Sequence, residues 1–149
     1  MLNRDKPRIF IDADVLLAAC ASPSEHGASL VILRMAEITL LEAYTSHQVI
    51  EEVRRNLARL LPQAWPVMQT IIARCLTVTA DPSEAEILPY AALAHEKDRP
   101  ILVAALQAGC RWLVTFNMRH YQPGHPAIVV ARPGEFLAQV RDLLSRLGS

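Results

Sequence analysis

Two acidic residues stand at the end of the first apolar run of this chain. Arg8-Ile9-Phe10-Ile11 closes on Asp12, and Asp14 comes just before a second run, Val15-Leu16-Leu17-Ala18-Ala19. The first run reads as a buried strand and the second as the start of a helix. In an open α/β sheet, ligands bind outside the carboxyl ends of the strands. A carboxylate at that place serves a metal or phosphoryl site more often than a core. Further along, the pair Glu51/Glu52, then Asp98, then Asn117 also stand where strands end or helices begin. Oxygen ligands of this kind suit Mg2+ and Mn2+, hard cations that keep several waters. Two or three carboxylates brought to one sheet edge cannot all stay ionised comfortably without a cation between them.

Each of these residues has a plainer role beside the chemical one. Asp12 or Asp14 could cap the helix that follows, and Asp98, with Pro100 in the next turn, is a helix N-cap by sequence alone. Glu51 and Glu52 both lie off the apolar stripe of their helix, so periodicity leaves both open. Thr115 could orient a phosphate or a water, or bond the backbone at a strand end. Arg54, Arg55 and Arg59 on one helix, and Arg119 and His120 after Asn117, could contact phosphates or face solvent. Glu51 and Arg54 have the spacing of a helical ion pair. The histidines (His26, His47, His95, His120 and His125) contain no HxxxH or HxH pair, so no zinc site is expected.

The elements that must position these side chains alternate between strand and helix, which predicts an α/β fold with a mostly parallel sheet. A strand at 8–12 is followed by a break at Ser22-Pro23-Ser24 and a helix over about 26–38. A short strand at 41–45 leads to Ser46, a cap for a helix striped by Val49, Ile50, Val53, Leu57, Leu60 and Leu61. Pro62 and Pro66 interrupt, and another helix runs to about 75. Leu76 to Thr79 is a strand of alternating or edge type. Pro82-Ser83 starts a helix expected to reach about 95, and Asp98 caps one over 99–108 that Gly109 ends. Trp112 to Thr115 and Ala127 to Val130 are the last strands. Pro133-Gly134 opens an amphipathic helix carrying Phe136, Leu137, Val140, Leu143 and Leu144.

The 149 residues favour one domain spanning 1–149, and an apolar content of 52% is enough for a sheet buried under helices. Aromatics at 5% argue against a stacking platform for bases. Lys+Arg 15 and Asp+Glu 15 cancel, so any grip on nucleic acid must come from local patches. Cys20, Cys75 and Cys110 lack CxxC spacing and are odd in number; they read as reduced core thiols. There is no secretory-type apolar stretch near the start and no uncharged window of transmembrane length, so a cytoplasmic chain without a membrane partner is expected.

Four segments, in order, resemble the PIN-domain ribonucleases. FIDADVLL resembles their opening strand with its first metal-binding Asp, and TSHQVIEEVRRNL their Ser-led helix with an acid after the first turn. KDRPILVAALQAG resembles the segment where an Asp begins an alanine-rich helix. LVTFNMRHYQP is similar to the element ending in Thr-x-Asp or, in some branches, Thr-x-Asn, and ARPGEFL to the last strand passing into the final helix. The resemblance implies a three-layer α/β/α fold with a central parallel sheet of about five strands. It implies metal ligation by Asp12, Glu52 and Asp98, with Asn117 and Thr115 assisting, and it favours Glu52 because an apolar residue, Val53, follows it directly. Asn117 adds no negative charge, unlike the commoner Asp. The implied activity is Mg2+- or Mn2+-dependent endoribonuclease chemistry. A metal-activated water would attack the phosphodiester while the phosphate charge is partly neutralised. A VapC-like toxin of a type II toxin–antitoxin pair is further implied. Such toxins are typically held by a cognate antitoxin whose peptide fills the acidic groove, and they are often homodimers that use apolar helices such as 26–38 and 48–61.

Two rival readings remain. Asp12-Ala13-Asp14-Val15 also fits the DxDx(T/V) signature of haloacid-dehalogenase-like phosphatases, with Asp12 as nucleophile and Asp14 as acid/base. That family's late acidic turn should then fall near 116–120, where Phe116-Asn117-Met118-Arg119-His120 has no acid. The other reading is a degenerate, non-catalytic PIN domain acting as a binding module. The retention of Asp12, Asp98 and a Glu at 51/52 together argues against it.

Overall fold

Five short segments pair as parallel strands in the order β3-β2-β1-β4-β5 in the computed structural model, which describes residues 6–21 and 27–147. The expected break at Ser22-Pro23-Ser24, His26 and the side chain of Leu144 lie outside the described residues. From β1 (Arg8–Ile11) the chain passes through α1 (Ala13–Ala21) and α2 (Ala28–Glu37) to β2 (Glu42–Ser46). It continues through α3 (His47–Leu60) and α4 (Trp65–Cys75) to the edge strand β3 (Leu76–Thr79). The return runs through α5 (Glu84–Ile87) and α6 (Arg99–Gln107) to β4 (Trp112–Val114) on the other side of β1, then to β5 (Val129–Ala131) and α7 (Pro133–Leu147).

Right-handed crossovers put the helices of the outward and return journeys on opposite faces, which makes three layers. α2 packs on α4 and α7, whereas α6 lies against β2 and β4. Covered on both faces, β1 reads as a continuous apolar run, with Ile9, Phe10 and Ile11 fully buried. Phe10 lies in register with Tyr44 on one side and Leu113 on the other. The strand order reverses between β1 and β4, so a crevice opens at the carboxyl ends of these two strands.

Local chemistry sets the element ends. Leu61, at φ −157°, ψ 68°, leaves the helical region because Pro62 follows, and α3 stops there. α6 ends in a Schellman motif: Cys110 N donates to Ala105 O and Gly109 N to Leu106 O, both at 3.0 Å, with Gly109 at φ +72°. Ser46 precedes α3 as expected but makes no capping bond. Asp81 does that work, its Oδ1 accepting from Gln48 N at 2.9 Å.

Three expectations need correction. The helix starting at Ser83 has its capping box with Glu86 but is short, giving way to a 3₁₀ turn at Leu88–Tyr90. Pro89 brings no N–H to continue it. The chain beyond is held by another segment: His95 N donates to His120 O and Gly124 N to Leu93 O, both at 2.8 Å. In α3, Val49, Val53 and Leu57 are buried but Leu60 is exposed, because the four-residue line from Val49 continues to Leu61 rather than Leu60. In α7, Phe136 and Val140 are buried while Leu143 is exposed.

Candidate metal centre at the β1–β4 crevice

Asp12 is buried at the mouth of this crevice, 6% exposed, and its carboxylate is held by three hydrogen bonds. Its Oδ1 accepts from Ala13 N at 2.8 Å. Its Oδ2 accepts from Thr115 Oγ1 at 2.9 Å and from the Tyr121 hydroxyl at 2.7 Å. A carboxylate oxygen offers about two lone-pair sites, so Oδ2 is saturated and Oδ1 keeps one for a further partner. Thr115 and Tyr121 are both fully buried. Burial first, and then the charge of Asp12, pushes the Tyr121 hydroxyl far above its ordinary range, so it remains a donor. Thr115 does not line the cleft. Its hydroxyl is buried and turned toward Asp12.

Asp14 turns away from capping α1 and ties the first strand's end to the fourth's. Its Oδ2 accepts from Phe116 N at 3.0 Å and Asn117 Nδ2 at 3.1 Å. Its Oδ1 is buried with no hydrogen-bond partner among the described residues. Burial, then repulsion from Asp12, raises its pKa to about 6, against the pull of the bonds from Phe116 and Thr115.

A cleft of about 300 Å³ opens over these groups, lined by Asp12, Asp14, Glu52, Asp98 and Asn117 with Gln48, Arg55, Lys97 and His120 at its sides. Glu52 reaches it from α3. Burial, then the charges of Asp12 and Asp98, holds its pKa above the usual value. Asp98 reaches it from the start of α6, where its side chain makes no capping bond and meets His120 Nδ1 at 3.1 Å instead. Its pKa is raised by burial and by Asp12, with His120 and His95 pulling it back. Mutual repulsion among carboxylates withdrawn in part from water is the condition that a divalent cation relieves. The free Oδ1 site of Asp12 and the partnerless Oδ1 of Asp14 are oxygen positions such a cation could take. The donor set is carboxylate with one amide, so it fits Mg2+ or Mn2+.

The structure therefore brings Asp12, Glu52, Asp98 and Asn117 to one cleft from four different elements, and it separates the two glutamates. Glu51 points outward and pairs with Arg54 at 2.6 Å. Of the three arginines on α3, Arg55 lines the cleft, Arg54 is engaged by Glu51, and Arg59 donates to Asn56 at 3.1 Å. Tyr121, Gln48 and Lys97 carried no signal in the sequence. Gln48 Nε2 donates to Lys97 O at 3.0 Å, which fastens α3 to the turn that presents Asp98.

A family model described as PIN domain matches residues 8–119. Among curated proteins none matches the sequence. Among solved structures, a chain of VapBC2 from Rickettsia felis, crystallised bound to a DNA fragment from its promoter, superposes with a TM-score of 0.61 at 12% identity. The match covers 83% of this chain and 96% of that one. At that identity the likeness speaks for the fold.

Proposed function

The chain belongs to the PIN-domain family, and from that premise we propose that it is a Mg2+- or Mn2+-dependent endoribonuclease, the toxin of a type II toxin–antitoxin pair. The observation that carries the reading is the meeting of Asp12, Glu52 and Asp98 in one cleft with Asn117 beside them. PIN domains are usually nucleases, and family membership sets aside the haloacid-dehalogenase alternative.

In this reading Asp12, Glu52 and Asp98 hold the cation, with Asn117 contributing its amide oxygen while its nitrogen stays on Asp14. A cation bound there would lower the pKa of a water and offset charge on the phosphate. The chain's own contribution is position. Thr115 and Tyr121 fix Asp12 in one rotamer, and Arg55 and Lys97 bring positive charge to the cleft walls for the phosphates on either side of the scissile bond. Hydrolysis adds a water oxygen to phosphorus, breaks the bond to the leaving oxygen and returns a proton to it. No covalent enzyme intermediate is needed.

The toxin assignment is supported by the fold shared with a chain of a VapBC complex. An antitoxin peptide in the cleft would offer cations to the acidic cluster. The apolar groove between α2 and α4, lined by Leu30, Leu33 and Ile71, offers a contact face for a second copy. The deciding assay is cleavage of single-stranded RNA in Mn2+ by wild type, Asp12→Ala and Asp98→Ala. Each variant should lose at least about 100-fold in rate, more than the loss of a partner outside the ligand set typically causes. Equal cleavage by all three would remove the ligand assignment. A fully inert wild type that also gains no stability from Mn2+ would leave the non-catalytic binding module.

A further inference from the structure

His95 and His120, far apart in sequence, meet beside Asp98. One potential ligand atom from each of the three lies within 4.8 Å of the other two. The imidazole rings stack with centroids 4.8 Å apart and planes inclined by 15°. Their backbones form one hydrogen-bonded unit. His95 N donates to His120 O at 2.8 Å, and Asp98 N and Arg99 N both donate to His95 O at 2.9 Å. The three side chains therefore spring from a fixed frame.

Two imidazoles and a carboxylate are a different donor set from the acidic cleft. Nitrogen ligands favour Zn2+ and its neighbours Co2+, Ni2+ and Cu2+ over Mg2+ or Mn2+. In a tetrahedral zinc site with bonds near 2.0–2.1 Å, ligand atoms stand about 3.3 Å apart. His120 Nδ1 and Asp98 Oδ2 are already 3.1 Å apart. His95 is exposed, so its ring can swing in without disturbing the core. A water would complete the coordination, as in zinc sites with three protein ligands.

We infer that His95, Asp98 and His120 form a second cation site, selective for Zn2+-class metals, whose occupancy draws Asp98 away from the acidic cleft. Asp98 belongs to both donor sets, because its carboxyl lines the cleft and also contacts His120. Zinc would then oppose Mn2+-supported activity. That consequence rests on the nuclease reading, whereas the binding site itself does not.

The test is calorimetric titration of the purified protein with Zn2+ alone, and with Co2+ followed by its visible absorption. Wild type should show a tight Zn2+ site with tetrahedral-type Co2+ bands, apart from any weaker uptake by the carboxylate cleft. His95→Ala, altered at an exposed position, should bind Zn2+ at least about tenfold more weakly and keep its Mn2+ affinity. The double variant Asp12→Asn/Glu52→Gln, which dismantles the acidic cleft, should bind Zn2+ as wild type does. If His95→Ala retains wild-type zinc affinity, or the double variant loses it, zinc sits elsewhere and the inference fails. In the cleavage assay, added Zn2+ should inhibit wild type at a lower concentration than His95→Ala; equal sensitivity of both would overturn the competition for Asp98. Should the protein cut no RNA, the titrations alone decide the site, and the fault lies with the nuclease reading.

Discussion

At the scale of single residues, the centre depends on how firmly Asp12 is held. Its Oδ2 is saturated by two buried hydroxyls, so only Oδ1 faces a further partner. Tyr121→Phe keeps the packing and removes one of those donors. Hydrogen bonds to charged groups contribute about 1.5–3 kcal/mol, and loss of a group that orients a ligand typically costs about 10–100-fold in metal affinity or activity. Tyr121→Phe should therefore weaken Mn2+ binding by about tenfold and lower the urea midpoint, measured by titration and by equilibrium unfolding. Unchanged Mn2+ affinity would show that Thr115 alone suffices. The role of Tyr121 could not be read from the chain, because an aromatic in a loop signals packing until a partner is known. Glu51 and Glu52 were likewise inseparable by periodicity. One rests against Arg54 in solvent and the other enters the cleft, a difference set by how α3 is rotated on the sheet.

At the scale of elements, the ends of α3 and α6 decide where Glu52 and Asp98 stand. Proline and glycine made those ends legible: Pro62 closes α3 and Gly109 closes α6. A left-handed residue other than glycine costs roughly 1–2 kcal/mol. A Cβ at position 109 would also sit 3.3 Å from Arg8 Nη1, the group that bonds Ala108 O at 3.0 Å. Gly109→Ala should therefore destabilise the protein by about 1–2 kcal/mol in urea unfolding, with Mn2+ affinity of the folded fraction unchanged. No loss would mean that the Schellman turn is not needed to end α6. The alanines and leucines after α5 favour a helix, yet the chain turns at Leu88–Tyr90 instead. Long-range bonds from Leu93 and His95 to the loop after β4 prevail over that local preference.

At the scale of the molecule, the centre is a place where the fold accepts charge in its interior. Asp14 shows the consequence in pH. Its pKa rises from 3.8 to about 6 on folding, so between these values the folded chain holds a proton that the unfolded chain has released. The stability this group contributes is full below the lower value and lost as pH rises through about 6. In EDTA, wild type should lose more stability between pH 4 and 6.5 than Asp14→Asn does, read from urea midpoints at each pH. Parallel curves would refute the assignment. By itself the sequence determined the alternation of strands and helices, the helix ends at Pro62 and Gly109, and the kind of chemistry its acids could do. Those are consequences of hydrophobic period, backbone restriction and ligand hardness, all local properties. The resemblance to a family named Asp12, Glu52 and Asp98 as one set, and only the tertiary structure decided that they line one cleft with Tyr121 and Thr115 clamping Asp12, and that His95 meets His120. These depend on strand order and on parallel registers that join residues a hundred positions apart, and no local pattern encodes such distances.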